Sequence, residues 1–292
     1  MNIKAIILTL TGFIFLLPNY SYSQELTGQV LELGSRTSIP FVNIGIVGED
    51  IGTVSNLDGE YQLNISEASG SDTLRFSYIG FQPYDIDVNS IRKNGLSSPI
   101  LLEEKVFELN EITVESKKLV SKTVGVRKKD GHPIPLFRKA KTEVPFPQKN
   151  YRHEIGTLFS GNGFVNLDKV QINFSEVSID TLDVRINVYS VQNGVFENIL
   201  KEPVYMTITD LKKNLSPIVD LTELNLSLQD DFLITIENYQ RIPNSSVRIF
   251  ANLKSKGRSF PTYYRSNSQS TWTNLKVNSK DFGLSIQAYI RK

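Results

Sequence analysis

In the first third of the chain, apolar and polar residues alternate with a period of two. Apolar side chains recur at every second position in residues 42–46, 61–65, 74–78 and 86–88. Because successive side chains of a strand point to opposite faces, this spacing predicts strands with one buried face. Turn residues such as Asp58-Gly59 separate these segments. The pattern is typical of an antiparallel β-sandwich, which we expect over residues 24–116.

Alternation returns in longer segments after residue 153, for example in LDVRINVYSV, DFLITIENY and SVRIFANLK. These segments predict about eight or nine further strands, which suits a second sandwich of jelly-roll type. No segment in either half sustains an amphipathic helical period. The predicted fold class is all-β, with two β-sandwich domains, the second over residues 153–292.

The first residues are typical of a secretory signal peptide. Lys4 gives a positive start, an apolar run extends over residues 5–17, and Ser21 and Ser23 supply the small residues that a signal peptidase reads. A membrane anchor is the alternative, but the run is shorter than the ~20 residues that a spanning helix needs. We therefore expect cleavage of residues 1–23 and export to the periplasm, the outer membrane or the medium.

The predicted sandwiches are separated by a basic stretch, residues 117–152, that contains several prolines. It carries eleven Lys or Arg residues against two acids, Asp130 and Glu143. Proline denies backbone donors to a central sheet, so the stretch is predicted to be a linker between domains. Its charge is typical of a solvated surface, and binding of an anionic envelope polymer is the alternative.

Overall charge and cysteine content exclude several protein classes. The formal net charge of +1 gives no global field that would attract nucleic acid or a membrane surface. The chain has no cysteine, which excludes a disulfide framework and a lipid-modified cysteine. We expect no nucleic-acid partner and no transmembrane segment after signal cleavage.

The stretch GTVSNLDGEYQL, residues 52–63, allows a calcium loop or a turn. With Gly59 at the sixth position of an EF-hand loop, Val54 and Ile65 would fall at the first and twelfth positions, where oxygen ligands are required. A turn explains the stretch better, because Asn56 can bond its own backbone and Gly59 accepts a left-handed conformation. We predict a hairpin turn without metal.

Residues 27–88 resemble the carboxypeptidase regulatory-like domain found in exported proteins of Bacteroidetes-type bacteria. The resemblance is carried by Gly28-x-Val30, Pro40 before VNI, Gly52-Thr53, DGEYQL from Asp58, and FSYIGF ending at Phe81. It implies a transthyretin-like sandwich of about seven strands, used as an accessory module beside peptidase domains and at the N-termini of TonB-dependent outer-membrane receptors. The family's motif residues look structural, so no catalytic residue is carried over.

Two further segments have weaker resemblances. LNEITVES, residues 109–116, is similar to the segment that follows this domain in the receptors, near the point where they engage TonB. A last strand of the first sandwich is the simpler interpretation. The second half resembles galactose-binding-like jelly rolls through EIGTLF, VDLTELNLSLQDDFLITIE and TYYRSNSQSTW. Sugar binding does not follow from such a fold alone.

We find no motif for an enzyme or a cofactor. The two histidines, His132 and His153, belong to no spaced zinc-ligand motif. Neither a cysteine nor a GxSxG sequence is present to supply a nucleophile. Asp230 and Asp231 are adjacent, so on a strand they would point to opposite faces and could not flank one bond. The predicted protein is non-enzymatic, without cofactor or metal.

One cluster has the composition of a binding surface. Tyr263, Tyr264, Arg265 and the single tryptophan, Trp272, lie together among polar residues. Aromatic faces near an arginine can stack on sugars or anchor a protein partner, although alternate members could instead close the core. We predict a contact site here for an envelope protein or glycan. The expected function is an exported binding or assembly module of the bacterial envelope; the alternative is an accessory protein of a TonB-dependent or carbohydrate- or peptide-processing system.

Overall fold

The computed structural model describes residues 24–106, 120–136, 153–161, 163–209, 212–239, 247–252 and 260–292. The predicted signal peptide, the segment 109–116 and residues 137–152 lie outside these ranges. The described residues are mostly β-strands in several sheets with a single α-helix, which confirms the all-β sandwich class. No helix in them has the length and apolarity to cross a membrane.

Seven strands and one short helix form the first unit, which we call the N-terminal sandwich. They are β1 (Glu25–Glu32), β2 (Asn43–Ile46), β3 (Gly52–Val54), β4 (Glu60–Asn64), β5 (Thr73–Ser77), β6 (Tyr84–Asp87), α1 (Val88–Asn94) and β7 (Ile100–Leu102). One sheet has the order β4-β1-β7 and the other β3-β2-β5-β6. The predicted alternation holds, because Ile44, Leu74 and Phe76 are buried in the core between the sheets. The seven strands match the number that the family resemblance implied.

Helix α1 differs from the sequence prediction, which extended the preceding strand through Val88. The chain leaves β6 at Asp87, whose carboxylate caps the helix by accepting from the Ser90 amide. Val88 and Ile91 bury their side chains against the sandwich. A helix of seven residues spans only two turns, so its apolar spacing is too short to produce a recognisable period.

The remaining strands form what we call the C-terminal half. Its strands are β8 (Ser121–Gly125), β9 (His132–Pro135), β10 (Glu154–Phe159), β11 (Val165–Ile172), β12 (Phe174–Val177), β13 (Thr181–Gln192), β14 (Val195–Asn198), β15 (Val204–Thr209), β16 (Lys212–Lys213), β17 (Ile218–Asp220), β18 (Leu226–Leu228), β19 (Asp231–Glu237), β20 (Val247–Asn252), β21 (Thr262–Arg265), β22 (Thr273–Val277), β23 (Lys280–Asp281), β24 (Gly283–Leu284) and β25 (Ile286–Arg291). Two short 3₁₀ helices, Lys128–Asp130 and Thr222–Leu224, complete it.

An eight-stranded sheet dominates the C-terminal half. Its order is β14-β13-β19-β10-β21-β22-β23, with β15 pairing the other end of β13. Two five-stranded sheets, one around β11 and β25 and one around β12 and β20, contribute to the same apolar core. The core therefore lies against one face of the large sheet, and the opposite face is available for other contacts. The jelly-roll assignment stays a prediction.

Two strands lie within the stretch that the sequence suggested as a linker. β8 pairs with β25, and β9 pairs with β20. Ile134 of β9 is buried in the core of the C-terminal half. Pro133 and Pro135 fit this arrangement because β9 lies at a sheet edge and pairs with one neighbour only. The stretch thus contributes to the second core, and where a domain boundary falls stays a prediction.

The turn predicted at residues 56–59 is present, but it does not close a hairpin, because β3 pairs with β2 in one sheet and β4 pairs with β1 in the other. Asn56 Oδ1 accepts from the backbone N–H groups of Asp58 and Glu60, both at 2.9 Å. Gly59 has a positive φ of 74° and lies where a Cβ atom would stand 2.5 Å from the Val30 carbonyl oxygen. Glycine is required here both by the backbone conformation and by the close approach of β1.

Substitution Gly59→Ala should lower the free energy of unfolding by more than the roughly 1–2 kcal/mol that a left-handed residue costs, because its methyl group would also meet the Val30 carbonyl. Gly194→Ala is the matched control, since Gly194 lies in the turn between β13 and β14 with a positive φ of 79° and nothing within 4 Å of the added atom. Urea unfolding measures both variants. Equal losses would show that the contact with Val30 is unimportant.

Candidate functional site

The large sheet of the C-terminal half carries a row of polar side chains on the face away from its core. Along β13, Leu182, Val184 and Ile186 enter the core, so the alternate residues point to the opposite face. Strand pairing aligns this face across four strands, because Arg185 lies opposite Glu237, Glu237 opposite Glu154, and Glu154 opposite Arg265. We call the set the polar face: Glu154, Arg185, Asn187, Tyr189, Thr235, Glu237 and Arg265.

Arg185 and Glu237 form a buried, two-pronged ion pair on this face. Arg185 Nε donates to Glu237 Oε2 and Arg185 Nη2 to Glu237 Oε1, each at 2.9 Å. Arg185 is 0% exposed, and Glu237 also accepts from Asn187 Nδ2 at 2.8 Å. Paired geometry of this kind gives both direction and strength to an arginine–carboxylate contact.

Glu154 is the second buried acid and receives four side-chain hydrogen bonds. Its Oε1 accepts from Asn187 at 2.8 Å, from Tyr189 at 2.8 Å and from Thr235 at 2.5 Å. Its Oε2 accepts from Arg265 Nε at 2.7 Å. Asn187 therefore links the two carboxylates, and the four charges of the polar face form one connected, balanced network.

The electrostatics of this network keep both partners of the buried pair charged. Burial lowers the pKa of Arg185, but the negative charge of Glu237 outweighs it and the net shift is upward. Burial raises the pKa of Glu237, but Arg185 outweighs it and the net shift is downward. Burial also lowers the pKa of Arg265, and the charge of Glu154 more than compensates. The ions persist because each has an opposite charge in contact.

The N-terminal sandwich covers part of the polar face. Arg185 Nη2 donates to Asn43 Oδ1 at 2.9 Å, and Arg185 Nη1 donates to the Phe41 carbonyl oxygen at 3.4 Å. Phe41 has a positive φ of 58°, which is unfavourable for a residue with a bulky side chain. Its ring packs against Tyr239 at 4.5 Å and Tyr205 at 6.0 Å between centroids. Contacts from the C-terminal half thus hold a strained residue of the N-terminal sandwich in place.

A second contact between the halves comes from residues 266–270, which we call the docking loop. Gly52 of β3 leaves space for it, since a Cβ atom there would stand 2.8 Å from Asn267 Cγ. Gln269 Nε2 donates to Ser77 Oγ at 2.7 Å. The segment between Arg265 and Trp272, two of the residues predicted as a partner contact, therefore binds the other half of the same chain.

The docking loop also binds the turn between β2 and β3. Ser266 Oγ donates to Asp50 Oδ1, and Ser270 Oγ donates to the Glu49 carbonyl oxygen at 2.9 Å. Gly48 pairs with Ser270 in an isolated parallel bridge. These bonds fix one end of the interface, and the hydroxyls of Tyr78 and Tyr205, 3.2 Å apart, lie elsewhere along it.

The N-terminal sandwich does not cover the whole polar face. Where it does not, a cleft of about 740 Å³ remains between the two halves. Its floor includes Asn187, Tyr189, Glu237 and Arg265 of the polar face. Side chains from both halves form the walls. The N-terminal sandwich supplies Asn43, Arg75, Ser77, Tyr78, Phe81 and Lys105. The C-terminal half supplies Phe196, Glu197, Asn198, Lys201, Ser268 and Gln269. The cleft thus combines aromatic rings, amides, hydroxyls and charges, most of which already have partners.

The residues predicted as a contact site separate onto two faces of the sheet. Tyr264 is 4% exposed and belongs to the core, where its hydroxyl bonds His153 Nδ1 at 2.8 Å. Arg265 lies on the polar face, 4.4 Å beneath the centroid of the Trp272 ring. Tyr263 is partly exposed and lies in the same group of rings as Trp272. Their role in binding a partner or glycan stays a prediction.

Phe196 joins these rings to the cleft. Its centroid lies 5.4 Å from that of Trp272 and 5.3 Å from that of Tyr263. Phe196 lines the cleft wall, and Arg265 lies between the rings of Tyr189 and Trp272. We call Phe196, Tyr263 and Trp272 the aromatic group. A cation held between two rings adds to the rigidity of this wall.

The other residues considered from the sequence have separate positions. His132 is exposed on β9, and His153 is partly buried beside Tyr264. Asp231 Oδ1 accepts from the Gly161 amide, whereas Asp230 Oδ2 accepts from Gln192, so the two acids face different neighbours. Within the described residues, no group of three or more His, Asp or Glu side chains could hold a metal ion.

Most residues of the polar face have no recognisable motif in the sequence. The segments LDVRINVYSV and DFLITIENY predict strands, but their pattern predicts no role for Arg185 or Glu237. The signal was present as charged residues at alternate positions of unusually apolar strands. Such a residue is ordinarily exposed, and here contacts from Phe41 and Asn43 of the N-terminal sandwich add to the pairing with Glu237 at the buried Arg185.

Comparison with known proteins identifies part of the chain. The family model of the CarboxypepD_reg-like domain matches residues 26–114, in agreement with the resemblance noted in the sequence. TonB-dependent receptor P3 of Formosa agariphila is 30% identical over 115 residues, which is 39% of this chain and 11% of the receptor. The chain thus spans only a small part of that relative. The CarboxypepD_reg-like domain is non-catalytic, and both matches fit a cell-envelope-associated module.

Solved structures give weaker similarities. The structure of infectious bursal disease virus Gt strain has a TM-score of 0.24 and 8% identity, covering 92% of this chain and 64% of the viral one. The VP2 subviral particle of infectious bursal disease virus has a TM-score of 0.21 and 9% identity, covering 91% and 63%. Scores this low do not establish a shared fold.

Substitution Arg185→Met should cost about 3–5 kcal/mol of unfolding free energy, because it leaves Glu237 buried without its counter-ion. Arg75→Met is the matched control, since the Arg75–Asp85 pair has side chains 36% and 42% exposed. Such a pair contributes less than about 1 kcal/mol. Chemical unfolding of both variants measures the difference, and similar losses would contradict a structural role for the buried pair.

Burial lowers the pKa of His153 from 6.5 to about 4. The unfolded chain therefore binds this proton at higher pH than the folded chain, and stability should fall as pH decreases from 6.5 towards 4. His153→Asn removes the titrating group but retains an amide for Tyr264, so its stability should decrease less over this range. His132→Asn at an exposed position is the control. The measurement is the melting temperature as a function of pH. The same pH dependence in the wild type and in His153→Asn would exclude this effect.

Proposed function

We propose that the protein is a non-enzymatic, exported binding module of the bacterial envelope that holds its ligand in the cleft between the two halves. The CarboxypepD_reg-like match and the similarity to a TonB-dependent receptor support an envelope setting. Export to the periplasm, the outer membrane or the medium is part of the proposal, and it is based on the features of residues 1–23. The ligand is an envelope glycan or protein.

The observation that carries this proposal is the construction of the cleft. Ligand sites commonly lie between domains and combine apolar and aromatic surface with a few oriented polar groups. Here Tyr189, Glu237 and Arg265 are oriented by the hydrogen bonds of the polar face, and partly exposed rings line the walls. A floor fixed in this way can receive a ligand without having to reorganise first.

The same bonds favour binding over acid–base catalysis. A general acid or base must reach a proton of the substrate, whereas Glu154 accepts four side-chain bonds from its neighbours. Glu237 holds Arg185 with both carboxylate oxygens and accepts from Asn187 as well. Both acids therefore serve as anchors for other side chains, which supports a role in shaping the site.

An accessory protein of a TonB-dependent system is the second candidate. The 115-residue similarity to TonB-dependent receptor P3 favours it. In that case the sequence LNEITVES at residues 109–116, outside the described ranges, would be the contact segment. Partner binding would then leave the cleft unchanged.

Fluorescence of Trp272, the single tryptophan, should report on ligand in the cleft because its ring contacts Phe196 and Arg265. We expect an envelope extract to change this signal in wild type and in the control Phe164→Ala, whose ring is 67% exposed outside the cleft. Phe196→Ala should weaken the response about tenfold or more. Binding of a TonB-system protein with unchanged Trp272 fluorescence would favour the second candidate, and an equal response in both variants would contradict the cleft.

A further inference from the structure

We infer that the cleft binds an uncharged oligosaccharide, a step that rests on the proposed function. The first reason is the position of its rings. Tyr78 and Phe81 line the wall of the N-terminal sandwich, with centroids 5.7 Å apart, and Phe196 lines the opposite wall. All three rings are partly exposed. Sugar rings present apolar C–H faces that pack on such surfaces.

Neighbouring side chains hold these rings in fixed orientations. The Tyr78 hydroxyl bonds that of Tyr205, and Phe196 packs on Trp272 and Tyr263. An aromatic side chain has few rotatable bonds, and packing along its edge removes part of that freedom before a ligand arrives. Binding therefore costs little conformational entropy at these positions.

The second reason is the kind of polar group between the rings. Asn43, Asn198 and Gln269 bring amides to the cleft, and Ser77 brings a hydroxyl. An amide donates and accepts at the same time, as does each hydroxyl of a sugar. These groups are also oriented, since Asn43 accepts from Arg185 and Gln269 donates to Ser77. The lining thus matches a ligand with many hydroxyl groups.

The third reason is that most charges of the cleft already have a partner, and the exception among the described residues, Glu197 on the wall of the C-terminal half, is itself acidic. Arg265 binds Glu154, Glu237 binds Arg185, and Arg75 binds Asp85 with two hydrogen bonds. Lys105 and Lys201 also have interaction partners. A carboxylate or sulfate on the ligand would have to compete with these partners. This arrangement favours a neutral saccharide over an acidic one.

The test titrates the full mature chain with neutral oligosaccharides of glucose, galactose, mannose and xylose, and with oligogalacturonate of equal length as the acidic probe. Calorimetry gives the affinity, and Trp272 fluorescence shows whether the ligand enters the cleft. We expect saturable binding of at least one neutral probe, with a change in Trp272 fluorescence. Oligogalacturonate should bind at least about tenfold more weakly.

One variant is made on each wall of the cleft, so that the test can still be carried out if one of the two misfolds. Phe196→Ala and Phe81→Ala should each weaken binding of the neutral probe about tenfold, while Phe164→Ala should leave it within about twofold. Circular dichroism and melting temperature identify a variant that fails to fold. In that case the binding affinity of the variant on the opposite wall tests the inference. If the folded variants bind the neutral probe as tightly as the wild type does, the inference is overturned.

The outcomes separate this inference from the proposed function. If oligogalacturonate binds more tightly, or if an envelope protein fraction changes Trp272 fluorescence while no neutral probe does, the cleft is a ligand site but the neutral saccharide is wrong. If neither the probes nor any envelope fraction affects Trp272, both the inference and the proposed function fail.

Discussion

Three buried charges and a fourth, partly exposed one form a network on one face of a sheet, and the two halves of the chain meet over it. Removing an ion from water costs several kcal/mol even after the protein relaxes, and the attraction of a partner offsets this only when the geometry is good. Arg185 and Glu237 meet that requirement with two hydrogen bonds, and Glu154 and Arg265 extend the network. The N-terminal sandwich contributes to the cover of this network at Arg185, so the two halves share the contacts of one buried ion pair.

The interface between the halves follows from this requirement. Asn43 and the Phe41 carbonyl satisfy donors of Arg185 that the C-terminal half leaves open. Gly52, whose dipeptide with Thr53 marks the regulatory-like family, leaves room for Asn267 of the docking loop. The same surface that completes the charge network stops short of Tyr189 and Phe196, which leaves the cleft open there. The part of the polar face that the N-terminal sandwich covers and the part that lines the cleft are therefore adjoining regions of one surface.

The sequence was sufficient for features that depend on local chemistry. The period of two predicted the strands of the N-terminal sandwich, and Asn56 with Gly59 predicted its turn. The sequence pattern was not sufficient where the local structure depends on contacts with residues that are distant in the chain. The basic stretch contributes β8 and β9 because neighbouring strands offer free edges, and helix α1 is too short for its period to be recognised. Of the four residues predicted as a contact site, Tyr264 enters the core and Arg265 joins the polar face. Alternation separates these two neighbours, but it cannot show that both faces are covered.

Calorimetric unfolding of the full chain tests most directly whether the two halves depend on one another. A single transition, with calorimetric and van't Hoff enthalpies equal, is expected for wild type because the polar face loses its cover when either half unfolds. Gly52→Val should lower the melting temperature and separate the transition into two, since the new side chain would meet Asn267 while suiting a strand at its own position. Two independent transitions in wild type, or an unchanged curve for Gly52→Val, would contradict the mutual dependence of the halves.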